Sequence, residues 1–138
     1  MRTIALSALL CSIVLLAADE TPLASLANLS TALSENDPDS ALSYFDSQMK
    51  GYSTIDANLD ALTAQTDISC AIDIVTDEES KGVHKLDLDW LMELKSRGDD
   101  PQLERRRERV QVEMRQVKGR WKIISMSPLS ILDPIHIK

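Results

Sequence analysis

The sequence predicts an α+β fold in which three N-terminal helices pack on a four-stranded antiparallel sheet. Two observations carry this prediction. Before Ile68, apolar residues recur at the helical spacing of about 3.6 residues, which gives each segment one apolar face. From Ile68 onward, apolar and polar residues alternate, as in strands that turn one face to a core and the other to water. Helices followed by antiparallel strands form a two-layer arrangement in which the helices cover the apolar face of the sheet.

Capping residues mark the three predicted helices. Thr21 and the proline after it favour the start of the first helix, since threonine caps and proline fits the first turn. Asp37 is the expected cap of the second helix, which we expect to end at Lys50-Gly51. Ser53 and Asp56 have the spacing of a capping box, so they are expected to begin the third helix.

Four strands are predicted in the second half of the chain. Their predicted order is a strand from Ile68, a charged turn at 77–82, a second strand, a loop at 97–101, a strand at 103–117, a turn at Gly119 and a strand at 121–126. The two central strands carry opposite charges on their wet faces, which suggests how they pair. If opposed residue numbers sum to 198, three favourable pairs form. These pairs are Glu93 with Arg105, Asp89 with Arg109, and Lys85 with Glu113.

The register also accounts for the densest run of charge in the chain, Arg105 to Arg109. An anion site is one interpretation of these arginines, and a solvated strand face paired with acidic residues is the other. The pairing favours the second interpretation, because it already uses Arg105 and Arg109. Arg106 and Glu108 point toward the apolar face by alternation, so they are candidates for the rim of a pocket.

The overall charge excludes one class of function. With 15 basic and 22 acidic residues, the chain has a net charge of −7. An acidic protein is repelled by the phosphate backbone, so no nucleic-acid binding is expected.

Residues 1–18 are predicted to be a cleaved signal peptide. Arg2 is the only charged residue before Asp19, and the apolar run between them ends in two alanines. The run is shorter than the roughly 20 residues that cross a membrane. Residues 19–138 then form a single domain, exported to the periplasm or secreted. The alternative is a retained N-terminal anchor, and no other membrane contact is expected.

Cleavage would leave Cys70 as the only cysteine, which excludes an internal disulfide in the mature chain. Cys70 falls on the apolar face of the first strand, where a buried, inert thiol is expected rather than a nucleophile. No metal is expected, since the two histidines lie far apart and have no cysteine partner. No phosphate-binding loop or nucleophile elbow is present either, so no cofactor is expected.

Several ionisable residues are candidates for a pocket. His84 lies on the Trp90 side of its strand and could serve as an acid or base near neutral pH. Tyr44, Tyr52 and Asp56 lie near the junction of the second and third helices, where a buried tyrosine and aspartate could transfer protons. The alternatives are an exposed histidine, tyrosines at the edge of the core and a helix-capping aspartate.

The apolar face of the sheet offers a second kind of candidate. Trp90, Met92, Met114 and Trp121 share that face and are expected to form core against the helices. They could instead enclose a small apolar cavity, which is the usual site for a small ligand.

The sequence resembles the nuclear-transport-factor-2-like superfamily, which includes ketosteroid isomerase, polyketide cyclases and scytalone dehydratase. The resemblance rests on helices followed by long strands that contain Leu-Asp-Trp at 88–90 and Gly-Arg-Trp-Lys-Ile-Ile at 119–124. It implies a curved sheet wrapped around a helix into a cone, often with a cavity at the wide end, and many members dimerise through the sheet. The short strand pair that many members place between the second and third helices has no room here. The catalytic tyrosine and aspartate of the isomerases have no match.

The expected function is therefore an exported, non-catalytic module that binds a small apolar ligand or a protein partner. The alternative is an isomerase, dehydratase or cyclase that acts on a small apolar substrate in the cone cavity. A third hypothesis is assembly, for example as a homodimer, through the outer sheet face, where Leu91 is the one apolar residue among the charges.

Overall fold

The computed structural model describes residues 20–135, so the predicted signal peptide and His136 lie outside the described residues. The elements are α1 (Pro22–Ser34), α2 (Pro38–Leu42), α3 (Tyr52–Gln65), β1 (Thr66–Ser80), β2 (Val83–Ser96), β3 (Leu103–Val117), β4 (Arg120–Ser127) and a 3-10 turn (Ser130–Leu132). The fold is α+β, with the helices before a curved four-stranded antiparallel sheet in the order β1-β2-β3-β4. The predicted class and strand count are confirmed, and one of the three helices is short.

The predicted caps of the first two helices are confirmed. The Thr21 hydroxyl accepts a hydrogen bond from the N–H of Ala24 over 3.1 Å, and Pro22 occupies the first turn. The Asp37 carboxylate accepts from the N–H of Ser40 over 3.2 Å. Each cap satisfies one of the N–H groups that the first turn of a helix leaves free.

The prediction that α2 runs to Lys50-Gly51 was wrong, because the helix ends at Leu42. The chain that follows pairs with the edge of β4 instead. The N–H of Asp46 donates to the carbonyl of Ile123, and the N–H of Ile123 donates to the carbonyl of Tyr44, both over 2.8 Å. These two bonds form a bridge between Phe45 and β4, so tertiary pairing overrides the local helical tendency.

The predicted capping box of α3 was also wrong. Gly51 caps the helix with a left-handed backbone (φ 88°), and no side chain caps it. The helix begins at Tyr52, so Ser53 and Asp56 both lie inside it. Glycine adopts this backbone conformation without steric cost, which fixes the start of the helix earlier than the serine would.

The predicted register of β2 and β3 is confirmed, with residues 84–95 paired to residues 103–114. Glu93 lies opposite Arg105, Asp89 opposite Arg109 and Lys85 opposite Glu113. The charged turn predicted at 77–82 was wrong, because β1 continues to Ser80 and pairs with the start of β2. The turn contains only Lys81 and Gly82, both with positive φ (53° and 82°). A two-residue turn of this kind matches the twist of the strands it joins.

The core lies between the helices and the inner face of the sheet. The largest buried side chains are Trp90, Phe45, Leu26, Leu29, Leu33, Ile55, Leu59, Leu62, Leu86, Leu88, Met92 and Leu94. No helix among residues 20–135 is long and apolar enough to cross a membrane.

Candidate functional site

The inner face of the sheet is filled by its own side chains. Trp90, Met92 and Met114 each have 0% of their surface exposed. If a side chain has no exposed surface, then no void beside it is large enough for a water molecule. At these three residues, therefore, the space between the helices and the sheet contains protein atoms and no cavity.

Trp90 and Cys70 lie together on this inner face, where Ile72 of β1 is opposite Trp90. The indole Nε1 of Trp90 is buried and has no hydrogen-bond partner among residues 20–135. Burial raises the pKa of the Cys70 thiol to about 11, and the nearby Ser30 and Trp90 side chains offset only part of this effect. The thiol is therefore protonated at neutral pH, and it cannot act as a ready nucleophile.

His84 belongs to a small cluster at the end of the sheet beside the β1–β2 turn. Its Nδ1 lies 2.7 Å from Oδ1 of Asp77. Its ring meets that of Trp121 edge to face, with the ring centroids 4.9 Å apart. The Trp121 indole in turn donates to the carbonyl of Glu20 over 3.0 Å. A carboxylate on one ring nitrogen orients a histidine and leaves the other nitrogen to exchange protons.

Sequence reasoning missed Asp77, because it placed this residue in a turn. The signal that could have found it is the Lys-Gly pair at 81–82. A two-residue hairpin turn at this pair extends β1 to Ser80 and brings Asp77 alongside the start of β2.

Arg106 and Glu108 lie at the margin of the inner face. The Arg106 guanidinium donates to the carbonyls of Ile131, Asp133 and Pro134 and to the carboxylate of Glu104. Arg106 therefore fastens the C-terminal segment to β3. Glu108 is half-buried and lies opposite Trp90.

Tyr44, Tyr52 and Asp56 are all half-buried. Tyr44 lies under the Arg120 guanidinium, whose central carbon is 4.7 Å from the ring centroid. Tyr52 and Asp56 stand one turn apart on α3. Six of the candidate residues lie opposite one another on β2 and β3, as the pairs Trp90–Glu108, Met92–Arg106 and His84–Met114. Tyr52 and Asp56 lie on α3 and are not part of these strand pairs.

A concavity of about 330 Å³ lies on the outer face of the sheet. Its lining is polar and contains Thr76, Glu78, Lys85, Leu86, Asp87, Gln111, Val112, Glu113, Ser125 and Ser127. We call it the outer trough. Lys85 is one of these lining residues and lies opposite Glu78 on β1 and Glu113 on β3. The Thr76 hydroxyl donates to Asp87 over 3.1 Å.

A bulge explains why the outer trough could not be predicted from alternation. The β1 register shifts between Ile74 and Thr76, so the even-numbered residues after the shift stand on the outer face. One extra residue moves every later side chain to the other face of a strand. Thr76 and Glu78 therefore join the trough instead of the core.

The rest of the outer face carries ion pairs. Arg107 donates to both carboxylate oxygens of Asp89, over 3.1 and 2.8 Å, and this hydrogen bonding lowers the pKa of Asp89. Arg105 donates to Glu93 over 2.9 Å. Within residues 20–135, no group of three histidine, cysteine or acidic side chains is arranged to hold a metal ion.

Comparison with known proteins shows similarity in structure only. No protein-family model matches the chain, and no curated protein matches it. A putative scytalone dehydratase from Novosphingobium aromaticivorans DSM 12444 superposes with a TM-score of 0.65 at 15% identity, over 74% of this chain and 76% of that one. A protein of unknown function with a cystatin-like fold, from Nostoc punctiforme PCC 73102, gives 0.57 at 16% identity over 75% and 84%. A protein named Rd1NTF2_05 gives 0.52 at 15% identity over 72% and 89%. At these identities the likeness extends to the fold alone.

Proposed function

We propose that this chain, which has a nuclear-transport-factor-2-like fold, is a non-catalytic module that binds a protein partner. We propose further that it acts outside the cytoplasm, as the apolar N-terminal segment suggests, and that the partner docks on the outer face of the sheet. A homodimer is one form of this proposal, with a second copy as the partner.

The packed inner face is the observation that carries the proposal. Trp90, Met92 and Met114 occupy the space in which a small apolar ligand would have to bind. A ligand pocket of the usual kind has a volume of several hundred Å³ and is lined mostly by apolar groups. Opening such a space here would expose core side chains at a cost of several kcal/mol.

The outer face supports a protein partner better than a small apolar ligand. The trough is open and polar, and it carries Lys85 among Glu78, Asp87 and Glu113. Mixed charge on a shallow surface favours recognition of complementary charges on another protein. Leu91 adds an apolar contact on the same face.

The second candidate function is an isomerase, dehydratase or cyclase, and one observation favours it. His84 and Asp77 form an oriented pair at the margin of the inner face. A proton acceptor of this kind could remove a proton from a substrate held beside Trp121. This function requires a bound small molecule, which native mass spectrometry of the protein would detect.

The proposal is tested by site-specific photocrosslinking in the protein's own host. A photoreactive amino acid replaces Gln111 in the trough. In the control variant, the same amino acid replaces the exposed Ala57 on α3. We expect a protein adduct at position 111 and none at position 57. An adduct with twice the mass of the chain would identify the partner as a second copy.

Native mass spectrometry of the unmodified protein from the same cells completes the test. We expect the mass of the processed chain without a bound small molecule. The proposal is wrong if position 111 gives no adduct. A retained small molecule would support the second candidate function instead.

A further inference from the structure

The two edges of the sheet differ in how they are covered. On the β4 edge, the backbone of residues 44–46 pairs with Ile123. On the β1 edge, the side chains among residues 20–135 that cover the strand come from α1 and Asn36, and they reach only its first third. An edge strand presents unpaired N–H and C=O groups, and another chain can pair with them.

Three side chains form the cover on β1. The Asn36 amide accepts from the N–H of Ile68 over 3.0 Å and donates to the carbonyl of Thr66 over 2.6 Å. Ser34 accepts from the N–H of Cys70 over 3.0 Å, and Ser30 donates to the Cys70 carbonyl over 2.7 Å. These contacts identify the even-numbered residues of this part of β1 as those whose backbone groups face outward.

Beyond Cys70 the cover ends while the strand continues. Backbone groups alternate between the two sides of a strand, so those of Ile72 and Ile74 face outward. After the bulge the alternation shifts, and those of Asp77 and Glu79 take that side. Within the described part of the chain, no hydrogen bond reaches the outward backbone groups of residues 72–80. This uncovered stretch is about 30 Å long.

The side chains of the uncovered stretch are acidic. It contains Asp73, Asp77, Glu78 and Glu79 and no basic residue. Asp77 contacts His84 and Glu78 lies opposite Lys85, so part of this charge is balanced within the fold. Val75, at the bulge, is 46% exposed and offers an apolar contact.

We propose that the uncovered edge of β1 at residues 72–80 accepts an extended, basic segment of a partner protein as a fifth strand. Backbone hydrogen bonds to Ile72, Ile74, Asp77 and Glu79 would hold the strand, and lysine or arginine side chains would pair with the acidic residues. A second copy of β1 is disfavoured as the occupant, because two such stretches bring eight acidic side chains together without a base. The inference rests on the proposed function, since it specifies the chemistry of a protein partner.

Synthetic peptides and the full chain test this inference. The first peptide alternates lysine with valine and has the length of the uncovered stretch. The second has the same sequence, but its four central backbone amides are N-methylated. This change keeps the charges and removes the central N–H donors on both sides of the peptide strand. The third alternates glutamate with valine. Binding is measured by fluorescence anisotropy at low salt and again at high salt.

We expect the lysine peptide to bind more tightly than the N-methylated peptide by at least about tenfold, because each lost backbone hydrogen bond weakens binding by up to that factor. Added salt should weaken the binding, since the charges are exposed. The glutamate peptide should not bind. Amide exchange should slow at Ile72, Ile74, Asp77 and Glu79 when the lysine peptide is bound.

A pair of variants locates the binding on the chain. Ile74→Pro removes one outward N–H, whereas Ile74→Ala keeps that N–H and loses a similar amount of apolar packing. We expect the proline variant to bind the lysine peptide about tenfold more weakly than the alanine variant. The peptide comparison stands by itself if the proline variant does not fold.

Three results would overturn the inference: equal binding of the lysine peptide and its N-methylated form, no binding of either, or equal binding by the two variants. None of these results contradicts the proposed function, which depends on the crosslink at position 111. The absence of that crosslink, together with slower amide exchange along β1 when the lysine peptide is bound, would refute docking on the outer face. It would still support binding of a strand at the β1 edge.

Discussion

Asp89 is bound by Arg107 and not by Arg109, although Arg109 lies directly opposite it on the neighbouring strand. The Arg107 guanidinium reaches diagonally and donates to both carboxylate oxygens. Two parallel hydrogen bonds fit the geometry of a carboxylate better than one contact straight across the strands. The strand register was predicted correctly from charge, whereas the contact that each arginine makes depends on side-chain geometry.

Removing Arg107 should therefore raise the pKa of Asp89 toward the ordinary aspartate value, because the largest lowering influence is the hydrogen bond from Arg107. Arg109→Gln is the matched control, and it should raise this pKa less than Arg107→Gln does. The measurement is a pH titration of the Asp89 carboxyl carbon by NMR. A larger effect of Arg109→Gln would contradict the assignment.

The hydrogen bonds between Arg107 and Asp89 should also make the stability of the protein fall as the pH is lowered. The folded-state pKa of Asp89 is lowered, so its contribution is present above the unfolded value of about 3.9 and is lost as the pH falls through the folded value. Arg107→Gln should flatten the dependence of the free energy of unfolding on pH in that range. Urea denaturation at a series of acidic pH values measures it.

Arg106→Ala should release the C-terminal segment from β3. The guanidinium holds the carbonyl of Ile131 at 3.0 Å and those of Asp133 and Pro134 beside it, and its side chain is only 12% exposed. Loss of these charged hydrogen bonds should lower the free energy of unfolding by about 2–3 kcal/mol. Urea denaturation measures the change.

Arg105→Ala is the control for this prediction. The Arg105 side chain is 68% exposed, and its one ion pair within residues 20–135 is with Glu93. The loss expected from an exposed ion pair is below about 1 kcal/mol. Equal losses in the two variants would show that Arg106 does not hold the segment.

The Cys70 thiol should resist alkylation in the folded protein. Its pKa is raised to about 11, so only about one molecule in a thousand carries a thiolate at pH 8. Iodoacetamide treatment followed by peptide mapping should leave Cys70 unmodified without urea and modify it in urea. The exposed thiol introduced by Ala71→Cys should react without urea. Comparable rates for the two thiols would contradict a half-buried, protonated Cys70.

The sequence allowed prediction of features that follow from alternation and charge. The β2–β3 register could be predicted because Glu93, Asp89 and Lys85 recur at even spacing and meet opposite charges in only one alignment. The dry face that contains Trp90 and Met92 follows from the same alternation. These signals are local to two neighbouring strands, so the rest of the fold does not change them.

The features that were missed depend on contacts distant in sequence or on one extra residue. α2 ends early because residues 44–46 pair with Ile123, which lies on the last strand. The bulge after Ile74 shifts Thr76 and Glu78 to the outer face. No residue type marks either feature, so neither the trough nor the uncovered edge of β1 could be predicted from the pattern.

The inner face is closed to ligands if Trp90, Met92 and Met114 leave no cavity, and NMR under xenon pressure can detect such a cavity. Xenon enters apolar cavities and shifts the methyl signals around them. We expect no saturable shift at the Met92 and Met114 methyls of the unmodified protein. We expect a clear shift in Trp90→Ala, in which a cavity replaces the indole. A saturable shift at Met92 or Met114 in the unmodified protein would show that the inner face is open, because it would reveal room for a ligand beneath the sheet.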